Sequence, residues 1–521
     1  MTDHLHEKGP RMFRWKATAA LAIVASLTLA GCAGTDGDGG GTSDSGRAER
    51  LTLIAIASPT SYDVGQGAEY GNRSVFFQAV FDTLLQKDAA GEIIPWLATD
   101  WEYNDDSTVL TLTLRDDVVF SDGTALDAAA VAASLERFRD GTAPQAATFA
   151  GKEFEAVDAT TVTITQPAPD PSLINLLSIA PGLIQAPSSF DDPSSATSPV
   201  GSGPYVLDSA ASVTGTTYVY TANPDYWNPD AVHYDSLTIN VIDDPTAALN
   251  AMKAGEANGL PLVNNDAIDE VSASGWEVAS NELDFHGLIL LDRSGAMAPE
   301  LADVRVRQAI NMAFDREALL DVLQAGYGTL TQQVFPTTSV GYDEALDSTY
   351  EYDPEGAKKL LAEAGYPDGF TLAMMSTPAF QTTFDLVAQQ LADIGITVDY
   401  TDPGTGNFIT DMLAPKYPAT WMSLEQNPDW QLINFMIAPE ATFNPFHSQD
   451  PQVDDYISTI QLGTPEEAEQ ATKDLNAYIT DQAWFAPWYR KQGSFAHDTG
   501  TAVAMWPTNS YPSLFGFSPA N

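Results

Sequence analysis

Cysteine is almost absent from this chain of 521 residues, since Cys32 is the only one. A single thiol excludes an intramolecular disulfide, so the fold must be stable without covalent cross-links even in an oxidising compartment. Histidine is also scarce. His4 and His6 lie near the N-terminus, and the other four histidines show none of the close spacings that are typical of zinc sites. We therefore expect no metal site and no cofactor.

Positive charge is scarce as well. Lys and Arg number 23 against 71 Asp and Glu, which gives a net charge of −48. Such a surface excludes a nucleic-acid partner, because the phosphates require Lys and Arg. It also repels anionic lipid headgroups. The excess of acid is compatible with either a salty habitat or a general compositional bias.

Long apolar runs are missing, with one short exception near the N-terminus. Residues 19–30 follow a basic stretch, and the segment ends in Leu29-Ala30-Gly31 directly before Cys32. The run is too short for a membrane span, which needs about 20 residues, but the order is typical of a secretory signal. The ending resembles the lipobox of bacterial lipoproteins, in which the cysteine carries diacylglycerol. We expect residues 1–31 to be a signal peptide; the alternative is an ordinary signal with a chance cysteine.

Residues 32–50 are predicted to be the lipidated cysteine and a flexible tether. The segment is rich in Gly, Ser and Asp, which cannot bury apolar surface. We expect a monomer that contacts the membrane only through its lipid, on the outer face of the cell membrane. From residue 51 onward, the chain is long enough for two or three packed domains.

Helix and strand signals alternate along this body. Helix starts are marked by an Asp or Thr N-cap at Asp127, Asp244, Asp303, Asp353 and Thr464. The helix after Asp303 is expected to be long and to continue through Phe314. Strand patterns lie at residues 51–56, 108–114, 160–165 and 237–242. The mixture predicts an α/β or α+β body.

Seven blocks in this body resemble one family, the extracellular solute-binding proteins of ABC importers for peptides, nickel chelates, opines and related solutes. The blocks are FDTL at 81–84, PWLATDW at 95–101, LRDDVVFSDGT at 114–124, PVGSGPY at 199–205, NPDYW at 223–227, VRVRQAI at 304–310 with AFDR at 313–316, and YDPEGAKKLLAEAGY at 352–366. The resemblance lies in their joint order and spacing. We expect these blocks to serve the architecture and not to contact the solute.

The resemblance implies an α/β, two-lobed periplasmic-binding-protein-like fold with a hinge and an extra inserted α+β domain. The expected parts are lobe I at 51–85, 199–283 and 491–521, the inserted domain at 86–198, and lobe II at 284–490. It also implies that the protein captures a small polar or oligopeptide-like solute between the lobes and delivers it to ABC permease subunits. No bond would be made or broken, so we expect no enzyme.

The resemblance also implies where the solute contacts the chain. Peptide-binding relatives carry a W-x-x-D-x-x-D-P-D segment whose first aspartate meets the ligand amine, and residues 421–429 read WMSLEQNPD. Trp421 and Ser423 are therefore candidate ligand contacts, but Leu424 stands where the aspartate would be. Leucine cannot pair with an ammonium. Glu425 could replace the aspartate only if the strand slips or bulges, since it would point to the opposite face of a regular strand.

An early loop provides further candidates, because relatives contact the ligand backbone after their first strand. The candidates are Ser58, Thr60 and Ser61; the alternative is that their hydroxyls cap a turn. Likewise, Trp421 is either a stacking platform or a core residue.

The cargo stays open among a peptide, a sugar, an opine and a nickel chelate, for which His447 is the histidine to test. Two other functions remain alternatives: a secreted hydrolase on a two-lobed scaffold and a solute-sensing receptor. The G-x-S-x-G pattern of serine hydrolases is absent from the sequence.

Overall fold

The computed structural model describes residues 46–404, 406–424, 427–506 and 509–520. The strands are β1 Ala48–Ala55, β2 Leu85–Lys87, β3 Ile93–Pro95, β4 Ala98–Tyr103, β5 Val109–Leu114, β6 Glu153–Ala156, β7 Thr161–Thr165, β8 Tyr205–Leu207, β9 Thr217–Ala222, β10 Tyr234–Val241, β11 Gly259–Leu262, β12 Glu277–Leu290, β13 Gly328–Leu330, β14 Phe370–Met375, β15 Ile396–Thr401, β16 Ala419–Leu424, β17 Phe485–His497, β18 Thr501–Val503 and β19 Phe517–Pro519.

The α-helices are α1 Val64–Gly67, α2 Ser74–Val80, α3 Ala128–Arg139, α4 Leu173–Leu176, α5 Pro245–Lys253, α6 Ile268–Ala273, α7 Val304–Met312, α8 Arg316–Gln324, α9 Pro354–Glu363, α10 Gln381–Asp393, α11 Phe408–Met412, α12 Asp429–Leu432, α13 Pro451–Leu462 and α14 Pro465–Asp481. Within the described ranges, none of these helices has both the length and the apolar character that a bilayer crossing requires.

The predicted helix starts are confirmed. The carboxylates of Asp127, Asp244 and Asp353 accept hydrogen bonds from the first-turn amides of α3, α5 and α9. Thr464 forms a reciprocal capping box with Glu467 at the start of α14. Each cap satisfies backbone donors that have no partner within the helix.

The expected long helix after Asp303 is wrong in its extent. Asp303 does cap α7, but this helix ends at Met312, so Phe314 lies outside it. Asp315 then accepts a hydrogen bond from the amide of Ala318 and begins α8. The second cap interrupts the apolar periodicity, since an N-cap residue has a non-helical backbone.

A mixed sheet of nine strands contains residues from both early and late parts of the chain. Its order is β16-β12-β17-β11-β1-β10-β9-β8, with β13 also paired to β17. The predicted strands at 51–56 and 237–242 are confirmed as β1 and β10, which pair in parallel. Those at 108–114 and 160–165 are confirmed as β5 and β7 of a separate four-stranded sheet.

The described residues form two large hydrophobic cores. The first core contains residues from 51 to 241 and from 495 to 517, whereas the second contains residues from 285 to 489. β17 therefore passes from the second core, at Phe485–Tyr489, into the first, at Phe495. β12 contributes Phe285 and residues 288–290 to the second core and pairs with β17 along its length. The first core is continuous through the expected inserted domain, so the boundaries at residues 86 and 198 stay a prediction.

A β-bulge marks the crossing between the cores. Glu282 pairs with Gln492 and Phe285 pairs with Arg490, so two residues of β12, 283 and 284, face one residue of β17. A bulge of this kind bends the strand and redirects its side chains. Burial changes at the same place. Residues 277–284 of β12 are half-buried or exposed and residues 285–290 are buried, whereas in β17 residues 491–492 are half-buried between buried neighbours.

Four of the sequence blocks meet at the buried carboxylate of Asp82. It accepts hydrogen bonds from Trp96 Nε1 at 2.8 Å, Ser202 Oγ at 2.8 Å, Tyr226 Oη at 2.9 Å and Trp227 Nε1 at 3.2 Å. Burial raises the pKa of Asp82 to about 6, and the four donors act in the opposite direction. These blocks hold the first core together, because three of them supply donors to the buried carboxylate of the fourth.

Candidate functional site

A cavity of about 330 Å³ lies at the bulge in the pairing of β12 with β17. We call it the crossing cavity. Its polar lining includes Asn72, Asp284, Lys491, Gln492 and Ser510. Asp284 is one of the two bulged residues and Lys491 is the residue opposite them. The irregular pairing therefore brings a carboxylate and an ammonium to the wall of one cavity.

A hydrogen-bonded chain runs from this cavity into the second core. The hydroxyl of Ser423 donates to Asp284 Oδ2 at 2.9 Å and lies 2.9 Å from His286 Nε2. The other ring nitrogen of His286 lies 3.4 Å from the hydroxyl oxygen of Tyr489. Ser423 and His286 are cross-strand partners in the pairing of β16 with β12.

His286 is the neutral member of this chain. Burial lowers its pKa to about 3, and the nearby charge of Lys491 acts in the same direction. The ring stacks on Tyr489 with centroids 4.9 Å apart. Because the Ser423 hydroxyl donates its hydrogen bond to Asp284, it accepts one from Nε2–H of the neutral ring. Nδ1 then accepts from Tyr489.

The order of these groups differs from that of a hydrolytic triad. In a triad the histidine lies between the serine and the carboxylate, takes the serine proton and is oriented by the carboxylate. Here Ser423 lies in the middle and donates directly to Asp284. Asp284 and His286 form no hydrogen bond with each other, so the carboxylate does not orient the ring. The arrangement fixes Asp284 as an acceptor and does not activate Ser423 as a nucleophile.

Lys491 forms no ion pair with any carboxylate of the described residues. Its ammonium is close enough to His286 to influence the histidine electrostatically. Asp284 accepts one hydrogen bond from Ser423, and a carboxylate has room for several more. The crossing cavity therefore offers both an anionic and a cationic group to a solute.

Two of the residues predicted from the 421–429 segment lie in the second core. Trp421 is 4% exposed and packs against Phe380, Phe384 and His286. Leu424 is 5% exposed and pairs with a residue of β12. Neither lines the crossing cavity. Of this group, Ser423 is the one that reaches a cavity-lining residue.

The early loop lies apart from this group. Ser61 is buried, and its hydroxyl accepts a hydrogen bond from the amide of Asp63 just before α1. Thr60 is exposed and lines a different cavity, and Ser58 is half-buried. Glu425 lies outside the described residues. The roles of all these residues as ligand contacts stay predictions.

Sequence reasoning missed Asp284 and Lys491. Both belong to long strands whose pairing joins residues some 200 positions apart, and the bulge depends on that pairing. The local signal was weak, since Asp284 and Lys491 are ordinary charged residues near an apolar run. As for metals, the residues that the structure describes contain no group of three or more His, Cys, Asp or Glu suited to hold an ion.

Two cores joined by crossing strands, with a polar cavity at the crossing, define a two-lobed binding protein. Solved structures have the same fold. HbpA2 from Haemophilus parasuis superposes with a TM-score of 0.80 at 22% identity, covering 91% of this chain and 100% of that one. DppA from Helicobacter pylori, in complex with the peptide STSA, has a TM-score of 0.71 at 22% identity, covering 91% and 98%. The expected fold class is confirmed.

The family is shown by sequence. The model of the bacterial extracellular solute-binding proteins, family 5 Middle, matches residues 92–445, and the chain belongs to this family. A glutathione-binding protein, GsiB of Shigella dysenteriae serotype 1 (strain Sd197), is 28% identical over 495 residues, covering 90% of this chain and 91% of that protein.

Family membership confirms the expected function. The protein is a solute-binding component of an ABC importer that works outside the cytoplasm and serves a membrane permease. Its relatives bind solutes, which fits a protein that is not an enzyme.

Proposed function

We propose that this binding protein captures a short peptide-like solute in the crossing cavity and that Asp284 binds the ammonium group of that solute. The observation that carries this proposal is the position of Asp284. It lines the cavity, and its neighbour Phe285 pairs directly with Leu424. A carboxylate is thus available on the strand next to the one where related peptide binders carry it.

The chemistry of the cavity supports a zwitterionic solute. An ammonium that leaves water needs a charged and hydrogen-bonded partner. Asp284 is such a partner, since Ser423 holds one of its oxygens and leaves acceptor capacity free. Lys491 lines the same cavity without an ion pair among the described residues and suits a carboxylate of the solute.

The relatives support the same class of solute. GsiB is named for glutathione, a tripeptide with one ammonium and two carboxylates at neutral pH, and DppA holds a bound peptide. Glutathione is therefore the first probe to test. Sugars and nickel chelates have weaker support, because a carboxylate and an ammonium facing one cavity suit a molecule that carries both charges.

The variant Asp284→Asn tests the proposal. Asparagine keeps the shape and can still accept from Ser423, but it removes the charge that would hold the ammonium. We expect glutathione affinity, measured by calorimetry, to fall at least tenfold, which corresponds to about 1.4 kcal/mol. Asp399→Asn is the matched control, since Asp399 is an exposed strand aspartate away from the cavity. Unchanged affinity in Asp284→Asn would refute the role of this carboxylate.

We further propose that the solute leaves unaltered. The Ser423–Asp284 arrangement supports this, because it does not activate the serine. Mass spectrometry of the solute after prolonged incubation tests the point. Recovery of the intact molecule is expected, and accumulation of a cleavage product would favour the hydrolase alternative.

Three finer features are also part of the proposal: lipid attachment at Cys32, a monomeric state, and domain boundaries at residues 86, 198, 284 and 490. The Leu-Ala-Gly-Cys ending of the apolar run supports the lipid. The separation of the two cores near residue 285 supports a lobe boundary there.

A further inference from the structure

A second cavity, of about 210 Å³, lies between the two cores. One side is lined by residues of the first half of the chain, including Glu69, Lys87 and Gln145. The other side is lined by Asn427, just before α12, and by Gln431 within α12. We call it the intercore cavity. It adjoins the crossing cavity along the chain, since residues 69 and 70 line the one and residues 71 and 72 line the other.

Lys87 stands out among the lysines of this acidic protein. The described ranges contain eight lysines, and five of them pair with a carboxylate, namely Lys152, Lys253, Lys358, Lys416 and Lys473. Of the other three, Lys359 is exposed on α9. The remaining two are Lys87 and Lys491, and each lines one of the two adjoining cavities.

The surroundings of Lys87 leave its charge uncompensated. The acidic residue of the cavity lining, Glu69, is already paired with Arg73 at 2.8 Å. Neither a hydrogen bond nor an ion pair from the described residues reaches the Lys87 ammonium. Burial lowers its pKa to about 8, so the group is still mainly protonated at neutral pH although its charge has lost much of its hydration.

The intercore cavity also contains a polar group without a partner in the part of the chain that the structure describes, the side chain of Gln145. The side-chain oxygen of Gln145 is buried, and none of the described residues provides a hydrogen-bond partner for it. A buried acceptor without a partner costs about 1–3 kcal/mol. A solute with a carboxylate for Lys87 and an N–H for Gln145 would satisfy both groups at once, and a peptide carries both.

We propose that the intercore cavity is an anion subsite in which Lys87 binds a second carboxylate of the solute, so that this protein selects acidic peptides over neutral ones. The inference rests on the proposed function, since it concerns the same solute. The ammonium end lies in the crossing cavity against Asp284, and a carboxylate at the far end extends past residues 69–72 to Lys87.

Calorimetry on three proteins tests the subsite: the unsubstituted protein, Lys87→Met and Lys359→Met. Methionine keeps the length of the side chain without the charge, and Lys359 is the matched control because it is unpaired but exposed. We expect glutathione to bind Lys87→Met at least tenfold more weakly and Lys359→Met with unchanged affinity. Glutathione with its glycine carboxylate converted to an amide should lose affinity for the unsubstituted protein but not for Lys87→Met. Equal affinities across the series would overturn the proposal.

A second measurement does not depend on glutathione. After ¹³C-dimethylation of the lysines, the NMR signal of Lys87 is assigned by its absence in Lys87→Met and is titrated with acetate. We expect a saturable shift of the Lys87 signal and none for Lys359. If acetate saturates Lys87 while glutathione does not bind, the choice of solute fails and the anion subsite stands. If the two lysines respond alike, the subsite fails, whatever the outcome with glutathione.

Discussion

At the scale of single residues, Asp82 and Asp284 show how one residue type serves two purposes. Asp82 is buried and fully hydrogen-bonded by four donors, so it has no capacity to bind a solute. Asp284 lines a cavity and accepts a single hydrogen bond. The sequence indicated that the family blocks serve the architecture, and the blocks that meet at Asp82 do so. It did not indicate Asp284, because the exposure of that carboxylate depends on the partner strand.

Replacing Asp82 with Asn is expected to destabilise the fold. The side-chain amide replaces one acceptor oxygen with an NH₂ donor. Some of the four groups that donate to Asp82, two indoles and two hydroxyls, therefore lose their acceptor. Each unsatisfied buried group costs about 1–3 kcal/mol. Urea unfolding at neutral pH should show a loss of about 3 kcal/mol for Asp82→Asn. The exposed control Asp116→Asn should lie within about 0.5 kcal/mol of the unsubstituted protein.

The pH dependence gives this prediction a second readout. Because the folded pKa of Asp82 is about 6 and its usual value is 3.8, this carboxyl favours the folded state most strongly below pH 4. That contribution is lost as the pH rises through 6. The stability advantage over Asp82→Asn should therefore narrow between pH 4 and pH 6, by up to about 3 kcal/mol. A pH-independent difference would contradict the raised pKa.

At the scale of elements, local sequence patterns predicted strands and helix starts correctly, whereas the long-range pairing of strands was not predicted. Alternating or apolar runs predicted β1, β5, β7 and β10, and N-cap residues predicted five helix starts. These signals work because they depend on neighbours within a few positions. The crossing of β12 and β17 joins segments about 200 residues apart, and its bulge follows from their register. No local pattern encodes that register, so the cavity and its two charged residues could not be predicted.

Gly287 allows a test of the crossing. It lies in β12 just after a register irregularity, and a Cβ at this position would lie 2.4 Å from the carbonyl oxygen of Ala486 and 2.6 Å from Pro487 Cα. Both are backbone atoms of β17, so the strands must separate to accept a methyl group. We expect Gly287→Ala to lose about 1–3 kcal/mol in urea unfolding. The control Gly406→Ala, where a Cβ meets no atom within 4 Å, should not. Equal stability of the two variants would show that the strands tolerate separation.

At the scale of the whole molecule, the family blocks identified the fold and the import function without identifying the solute. The blocks contribute to the cores, as Asp82 and its donors do, whereas the solute would meet side chains at the crossing and between the cores. Fold and cargo are thus encoded by different residues.

Anchoring is also a property of the whole molecule. If Cys32 carries diacylglycerol, two acyl chains hold the protein stably at the membrane, whereas one would bind only marginally. We expect Cys32→Ser to move the protein from the membrane fraction to the soluble fraction in cells that process lipoproteins. Solute affinity should stay the same, since the cavities lie far along the chain. An unchanged membrane fraction would argue against the lipid.

The central claim is that a peptide-like solute lies intact in the crossing cavity with its ammonium on Asp284. A crystal structure of the protein grown with glutathione tests it most directly. Our account predicts density for the complete tripeptide with its amine within hydrogen-bond distance of the Asp284 carboxylate. Density for a cleaved product, or for a tripeptide bound away from Asp284, would contradict it.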